Sequence, residues 1–168
     1  MPRVFGEGTV DAAGMRVAVI ASLFNDQFTK PLCNGAVTTA RDHGVADSAI
    51  DVFWVPGAFE IPLVAQEIAA TGAYDAIACV GAVVRGETPH FEFIASEAAR
   101  GIMEASRDSG VPMGFGVITA DTLAQAEARS GGSVGNKGSE AMYAALHVAA
   151  LLREAIDADG GQDGEAGA

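Results

Sequence analysis

Four times in this 168-residue chain, a short run of apolar, largely β-branched side chains gives way to a segment of helical length and pattern. The runs are Met15–Ser22, Ile50–Val55, Ala76–Val84 and Met113–Ile118. The first reads Met-Arg-Val-Ala-Val-Ile-Ala-Ser, and a nearly continuous apolar run of this kind suits a strand covered on both faces. Helical patterns follow over residues 28–43, 60–71, 90–108 and 122–129, with a last one over 138–157. Strands that alternate with helices imply a parallel sheet with helical crossovers on both sides. The expected fold is therefore α/β: a three-layer α/β/α sandwich of the flavodoxin-like type, with a four-stranded parallel sheet.

Two segments fall outside that pattern. Arg3-Val4-Phe5, set among Gly6, Gly8 and Gly14, reads as a short extra strand that pairs with a neighbouring subunit. Residues 158–168 are rich in Gly and acidic residues and hold no large apolar side chain, so burial cannot offset their ordering entropy. The reading is one domain over residues 1–157 with a disordered tail behind it.

Composition narrows the function classes. At 49% hydrophobic the chain can bury a single core. A net charge of -12 argues against sequence-independent nucleic-acid binding, which needs clustered Lys and Arg to displace counterions. Any anionic ligand must then be held by local groups against the overall field. Cys33 and Cys79 have no paired spacing and read as small buried hydrophobes in a reducing compartment. His43, His90 and His147 are scattered and no Cys/His cluster has ligand spacing, so no metal is expected. With no secretory pattern and no membrane-length apolar run, the expected location is cytoplasmic, without membrane contact.

In open α/β sheets ligands bind beyond the carboxyl ends of the strands, and each strand here ends unusually. After the first comes Ser22-Leu23-Phe24-Asn25-Asp26, where an aromatic stands in a polar turn. Phe24 either stacks on a flat ligand or caps the core beneath the turn. After the second comes Pro56-Gly57-Ala58-Phe59-Glu60, in which small residues allow close approach to the backbone and Glu60 opens a helix. After the third comes Arg85-Gly86-Glu87-Thr88-Pro89-His90, where free amides running into a helix suit an anion and an imidazole can move protons near neutral pH. An ordinary turn with Thr88 as N-cap is the plainer alternative. After the fourth comes Thr119-Ala120-Asp121-Thr122.

A second glycine-rich stretch, Ser130 to Gly138, lies between two helices and is flanked by Arg129 and Lys137. Its spacing fits neither a dinucleotide fingerprint nor a P-loop, which leaves an interhelical linker or a ligand loop. Lys137 is one of two lysines among ten basic residues. A compact ammonium suits a carbonyl and the planar fork of Arg129 suits a phosphate. The inventory amounts to a cofactor-free site with one His, one Arg, one Lys and an aromatic platform, suited to imine and elimination chemistry on a phosphorylated substrate.

Taken together, Phe24-Asn25, Val55-Pro56-Gly57-Ala58-Phe59-Glu60-Ile61-Pro62, Gly86-Glu87-Thr88-Pro89-His90 and Gly135-Asn136-Lys137-Gly138 resemble the 6,7-dimethyl-8-ribityllumazine synthase family over about residues 15–155. The resemblance implies condensation of 5-amino-6-(D-ribitylamino)uracil with 3,4-dihydroxy-2-butanone 4-phosphate, in riboflavin biosynthesis, with no cofactor. It implies that Phe24 stacks on the pyrimidine, with Asn25 beside it, and that Gly57, Ala58 and Glu60 hold the ribityl chain. Backbone groups of Val83 and Val84 would meet the pyrimidine edge. Gly86, Glu87, Thr88 and Arg129 would cradle the phosphate. His90 would shuttle protons, with Glu140 behind it, and Lys137 would bind the pyrimidine carbonyl.

The resemblance further implies a homo-oligomer built from pentamers, in which Phe115, Arg129 and Lys137 reach the pocket from the next chain. It leaves pentamer, decamer and 60-subunit shell open. Ser133 stands where the family commonly has a basic residue, which weakens the positive field near Arg129. That departure and the acidic tail motivate an alternative: a weakly active paralogue serving as a flavin-binding or shell-forming protein. A signalling receiver of similar fold is disfavoured, because the first strand lacks the paired acidic residues that would hold Mg²⁺.

Overall fold

The computed structural model describes residues 1–161. Four parallel strands form the sheet: β1 (Val17–Ser22), β2 (Ile50–Val55), β3 (Ala76–Val84) and β4 (Met113–Ala120), in the order β2-β1-β3-β4. The helices are α1 (Asp26–Asp42), α2 (Ile61–Ala70), α3 (His90–Ser109), α4 (Leu123–Arg129) and α5 (Lys137–Gly160). Every residue of β1 is buried, as are the first eight of β3, which accounts for their unbroken apolar sequence. β2 lies at an edge with Val52 and Trp54 exposed.

The period-two geometry of the strands divides the core into two layers. Val17, Val19, Ala78, Val80 and Ile118 point to one face, covered by α1, α4 and α5. Ala18, Ile20, Ile77, Cys79 and Val117 point to the other, covered by α2 and α3. The α/β/α sandwich is thus the architecture that the sequence implied, and the side on which successive strands are added switches between β1 and β3. That switch point is where a crevice opens beyond the strand ends.

Close packing sets the position of α5. A methyl group at Gly114 of β4 would overlap the Ala141 carbonyl oxygen, and one at Gly138 would overlap the Leu32 carbonyl of α1. Sheet and helices therefore approach to backbone contact at both points, which only glycine permits.

The structure adds detail at three places. The interhelical linker contains a small antiparallel pair, β5 (Ser130–Gly132) and β6 (Gly135–Asn136). Gly131 and Gly135 take positive φ of 107° and 88°, so the turn uses a conformation that leaves little periodic signature. Arg3–Phe5 forms no strand within the chain; the segment lies along α5, with Arg3 paired to Asp159 at 2.8 Å and the Gly6 amide near Glu154. Finally, α5 continues to Gly160, three residues into the segment expected to be tail, and the remainder of that tail from residue 162 lies outside the described residues. No helix of the described residues is long and apolar enough to cross a membrane.

Candidate active site

A cleft of about 650 Å³ lies beyond the carboxyl ends of β1, β2 and β3. The β1 end contributes Phe24 and Asn25, the β2 end Pro56 to Glu60, and the β3 end Ala82, Val83, Val84, Gly86, Thr88 and His90, with Phe91 and Ile94 of α3 closing one wall. Three turns that the sequence separates by some thirty residues each are brought together here because parallel strands all end at one edge.

Phe24 is 72% exposed, so it does not cap the core. Its placement follows from Asn25, the one non-glycine residue with positive φ (60°) among the described residues. The left-handed turn lets the Asn25 carbonyl accept from the Phe28 and Thr29 amides at the start of α1, while its Nδ2 donates to the Ala82 carbonyl at 2.8 Å. Asn tolerates this conformation better than other residues with a Cβ. One side chain thus bridges β1 and β3 across the switch point and turns Phe24 outward.

On the β2 side, a short 3₁₀ turn over Ala58–Glu60 precedes α2, with the Glu60 amide donating to the Gly57 carbonyl. Gly57 leaves the backbone open, and the Glu60 carboxylate lies beside it. Ala58 is buried, whereas Phe59 and Glu60 are exposed.

On the β3 side, the turn from Gly86 to Pro89 leads into the 20-residue helix α3, whose first residue is His90. Among the described residues, none of the Gly86, Glu87 and Thr88 amides has an intrachain acceptor, and the His90 ring has no hydrogen-bond partner. Free amides beside the positive end of a long helix are a ready anion site. Thr88 therefore does not act as an N-cap; Pro89 holds that position without a side-chain bond.

Arg85 flanks this turn and was not among the residues singled out from the sequence. Its Nε donates to Asp121 at 2.7 Å, its Nη1 to Glu92 at 3.3 Å, and its guanidinium lies 4.5 Å from the Phe91 ring centroid. The hydrogen bond to Asp121, followed by that to Glu92, raises the Arg85 pKa above its ordinary value. The signal was an Arg directly at a strand end with acids at Glu92 and Asp121, but acids so far apart in sequence announce nothing until β3 and β4 pair.

The remaining residues lie elsewhere within the chain. Arg129 ends α4, with Nη1 donating to the Gln125 carbonyl at 3.0 Å. Lys137 opens α5, and its Nζ donates to Glu140 at 2.6 Å, so Glu140 faces Lys137 and not His90 in this chain. Phe115 stands half-exposed on edge strand β4, at the register of Cys79. Asn136 anchors this region: its Nδ2 donates to the Pro31 carbonyl of α1, and its Oδ1 accepts from the Gly138 and Ser139 amides, capping α5. Glu87 sits exposed in the turn without lining the cleft.

No group of three or more His, Cys, Asp or Glu among the described residues could hold a metal ion. What the cleft offers is an exposed aromatic platform, small residues giving access to backbone, free amides for an anion, and one imidazole.

Comparison with known proteins agrees with that inventory. The sequence profile described as 6,7-dimethyl-8-ribityllumazine synthase matches residues 14–153. A protein of Gemmatimonas aurantiaca named 6,7-dimethyl-8-ribityllumazine synthase is 52% identical over 153 residues, covering 90% of this chain and 93% of its own length. The match spans the six strands and, up to Arg153, the five α-helices of the described residues, and on it the chain belongs to the 6,7-dimethyl-8-ribityllumazine synthase family.

Proposed function

We infer that the strand-end cleft is where this chain carries out the reaction of its family, and that a neighbouring copy completes the site. The reaction condenses 5-amino-6-(D-ribitylamino)uracil with 3,4-dihydroxy-2-butanone 4-phosphate to 6,7-dimethyl-8-ribityllumazine, releasing phosphate and water. The protein is accordingly a transferase of riboflavin biosynthesis.

One observation carries the shared-site reading: no Lys or Arg lines the cleft among the described residues. A phosphorylated substrate in a chain of net charge -12 calls for a fixed cation. Arg129 and Lys137 stand on α4 and α5, which pack on the opposite face of the sheet from α2 and α3. A second copy in a closed ring can present these residues to the cleft of the first, as a heterologous interface does.

In the completed site Phe24 stacks on the pyrimidine and Asn25 fixes its position. Gly57, Ala58 and Glu60 receive the ribityl chain, and backbone groups at Val83 and Val84 meet the pyrimidine edge. The amides of Gly86, Glu87 and Thr88 bind the phosphate together with the neighbour's Arg129. Lys137, held by Glu140, meets the pyrimidine carbonyl, and Phe115 closes the pocket from the same neighbour. His90 moves protons during imine formation and phosphate loss. Both reactants are intrinsically reactive, so orientation contributes several kcal/mol without a cofactor and one imidazole adds about 10²- to 10⁴-fold. The N-terminal segment and the β5–β6 hairpin then serve to join pentamers and subunits.

Mixed assemblies test the arrangement. Co-expression of His90→Ala and Arg129→Ala chains in equal amounts should restore about a quarter of the sites to the intact form, because cleft and basic residues come from different copies. Activity in the mixture no greater than the mean of the two parent variants would refute a shared site. Sedimentation of the native protein should give a multiple of five chains.

A further inference from the structure

We propose that Arg85 is a positioning residue for this reaction: its side chain straps the Gly86–Pro89 turn closed and so fixes both the free amides and the His90 imidazole that follow it. The inference rests on the functional reading above and deepens it.

The geometry is that of a closed loop. The Arg85 backbone amide donates to the Ala120 carbonyl at 2.8 Å, extending the β3–β4 ladder one residue past β3. Its side chain then leaves the ladder in two directions. Nε holds Asp121, the residue after β4, at 2.7 Å. Nη1 reaches Glu92 in the first turn of α3 at 3.3 Å, and the guanidinium stacks on Phe91 at 4.5 Å. The turn between residues 86 and 90 is thus spanned by one side chain running from residue 85 to residues 91 and 92.

Among the described residues no other side chain spans the turn. The side chains of Glu87, Thr88 and His90 make no hydrogen bond among the described residues, and the amides of residues 86–88 are unpaired. Without the strap, the turn would be tied only at its ends by the β3 ladder and by the helix itself. Exposed ion pairs contribute little to stability, and the Arg85 side chain is 44% exposed. Its three simultaneous partners are better explained by the need to hold geometry. Phe91 lines the cleft, so the stack also sets one wall of the site. The planar fork of Arg serves two carboxylates and a ring face at once, which a Lys ammonium cannot do.

The experiment compares Arg85→Met, Arg85→Lys and Asp121→Asn with the native enzyme. It reads kcat and KM for each substrate, the oligomeric state, and amide hydrogen exchange of residues 86–92. Arg85→Met should lower kcat/KM for the phosphorylated substrate about 10- to 100-fold, the scale set by small misplacements of reacting groups. KM for the pyrimidine should stay within about twofold, assembly should be unchanged, and exchange over 86–92 should accelerate. Arg85→Lys should recover little of the loss, and Asp121→Asn should show the same split in milder form. Native kinetics and native exchange in Arg85→Met would overturn the proposal, as would full rescue by Lys or equal KM increases for both substrates. If the native protein itself formed no lumazine, the functional reading would fail, and the exchange comparison would still decide whether Arg85 holds the turn.

Discussion

Asn25 sits in a left-handed conformation and also forms a side-chain bridge, and two substitutions separate these contributions. Asn25→Gly keeps the backbone conformation at no steric cost but removes the 2.8 Å bond to the Ala82 carbonyl. The carbonyl of buried Ala82 loses a partner, about 1 kcal/mol, and glycine adds about 0.5–1 kcal/mol through the unfolded state. Asn25→Ala loses the same bond and forces a Cβ into φ 60°, which costs about 1–2 kcal/mol. Both therefore destabilise, by about 1.5–2 kcal/mol for Gly and about 2–3 kcal/mol for Ala. For a domain of this size each kcal/mol shifts Tm by about 2–4 °C, so Ala should melt about 1–4 °C below Gly. The assay is thermal unfolding at one fixed protein concentration, because assembly raises apparent stability by mass action. An Ala variant at least as stable as the Gly variant would refute the claim that backbone conformation at residue 25 shapes this turn.

Three further outcomes follow from the packing and charge described above. Gly114→Ala drives a methyl into the Ala141 carbonyl and should destabilise by about 3 kcal/mol or more, seen as loss of soluble assembly or a lowered urea midpoint. Asp51 accepts from Tyr74 and Arg16, both at 2.7 Å, and these bonds, Tyr74 first, hold its pKa below the ordinary carboxylate value. A depressed pKa adds stability that is present above the unfolded value and lost as pH falls through the folded one. The stability gap between native protein and Asp51→Asn should therefore be full at pH 7 and shrink below about pH 4; a gap independent of pH would contradict it. Burial pushes the thiols up, to about 11 for Cys33 and about 12 for Cys79. Iodoacetamide at pH 7.5 should leave both unmodified in the native protein by mass spectrometry, and rapid native labelling would contradict their placement.

The sheet was readable because its central strands leave no choice. Ala76–Val84 is apolar at every position, and only a strand covered on both faces needs that. The β5–β6 hairpin was not readable, since it is two and three residues long and is held by Asn136 reaching Pro31, a contact across 105 positions. At the site, Phe24 and the strand-end turns stood out because an exposed aromatic and a glycine–proline turn are locally odd. Arg85 did not stand out, because its meaning comes from Asp121 and Glu92, which only the β3–β4 pairing and the start of α3 bring to it. Asn25 lines the cleft, and its bond to the Ala82 carbonyl was not legible because it joins residues 57 positions apart.

Helix α1 has contacts at two points that lie close together along its axis. At its start Asn25 braces the end of β3 beneath the cleft, and six residues on, the Pro31 carbonyl holds Asn136, the residue before Lys137. Six residues of helix span about 9 Å. One short rod therefore fixes the distance between the cleft and the loop that carries Lys137.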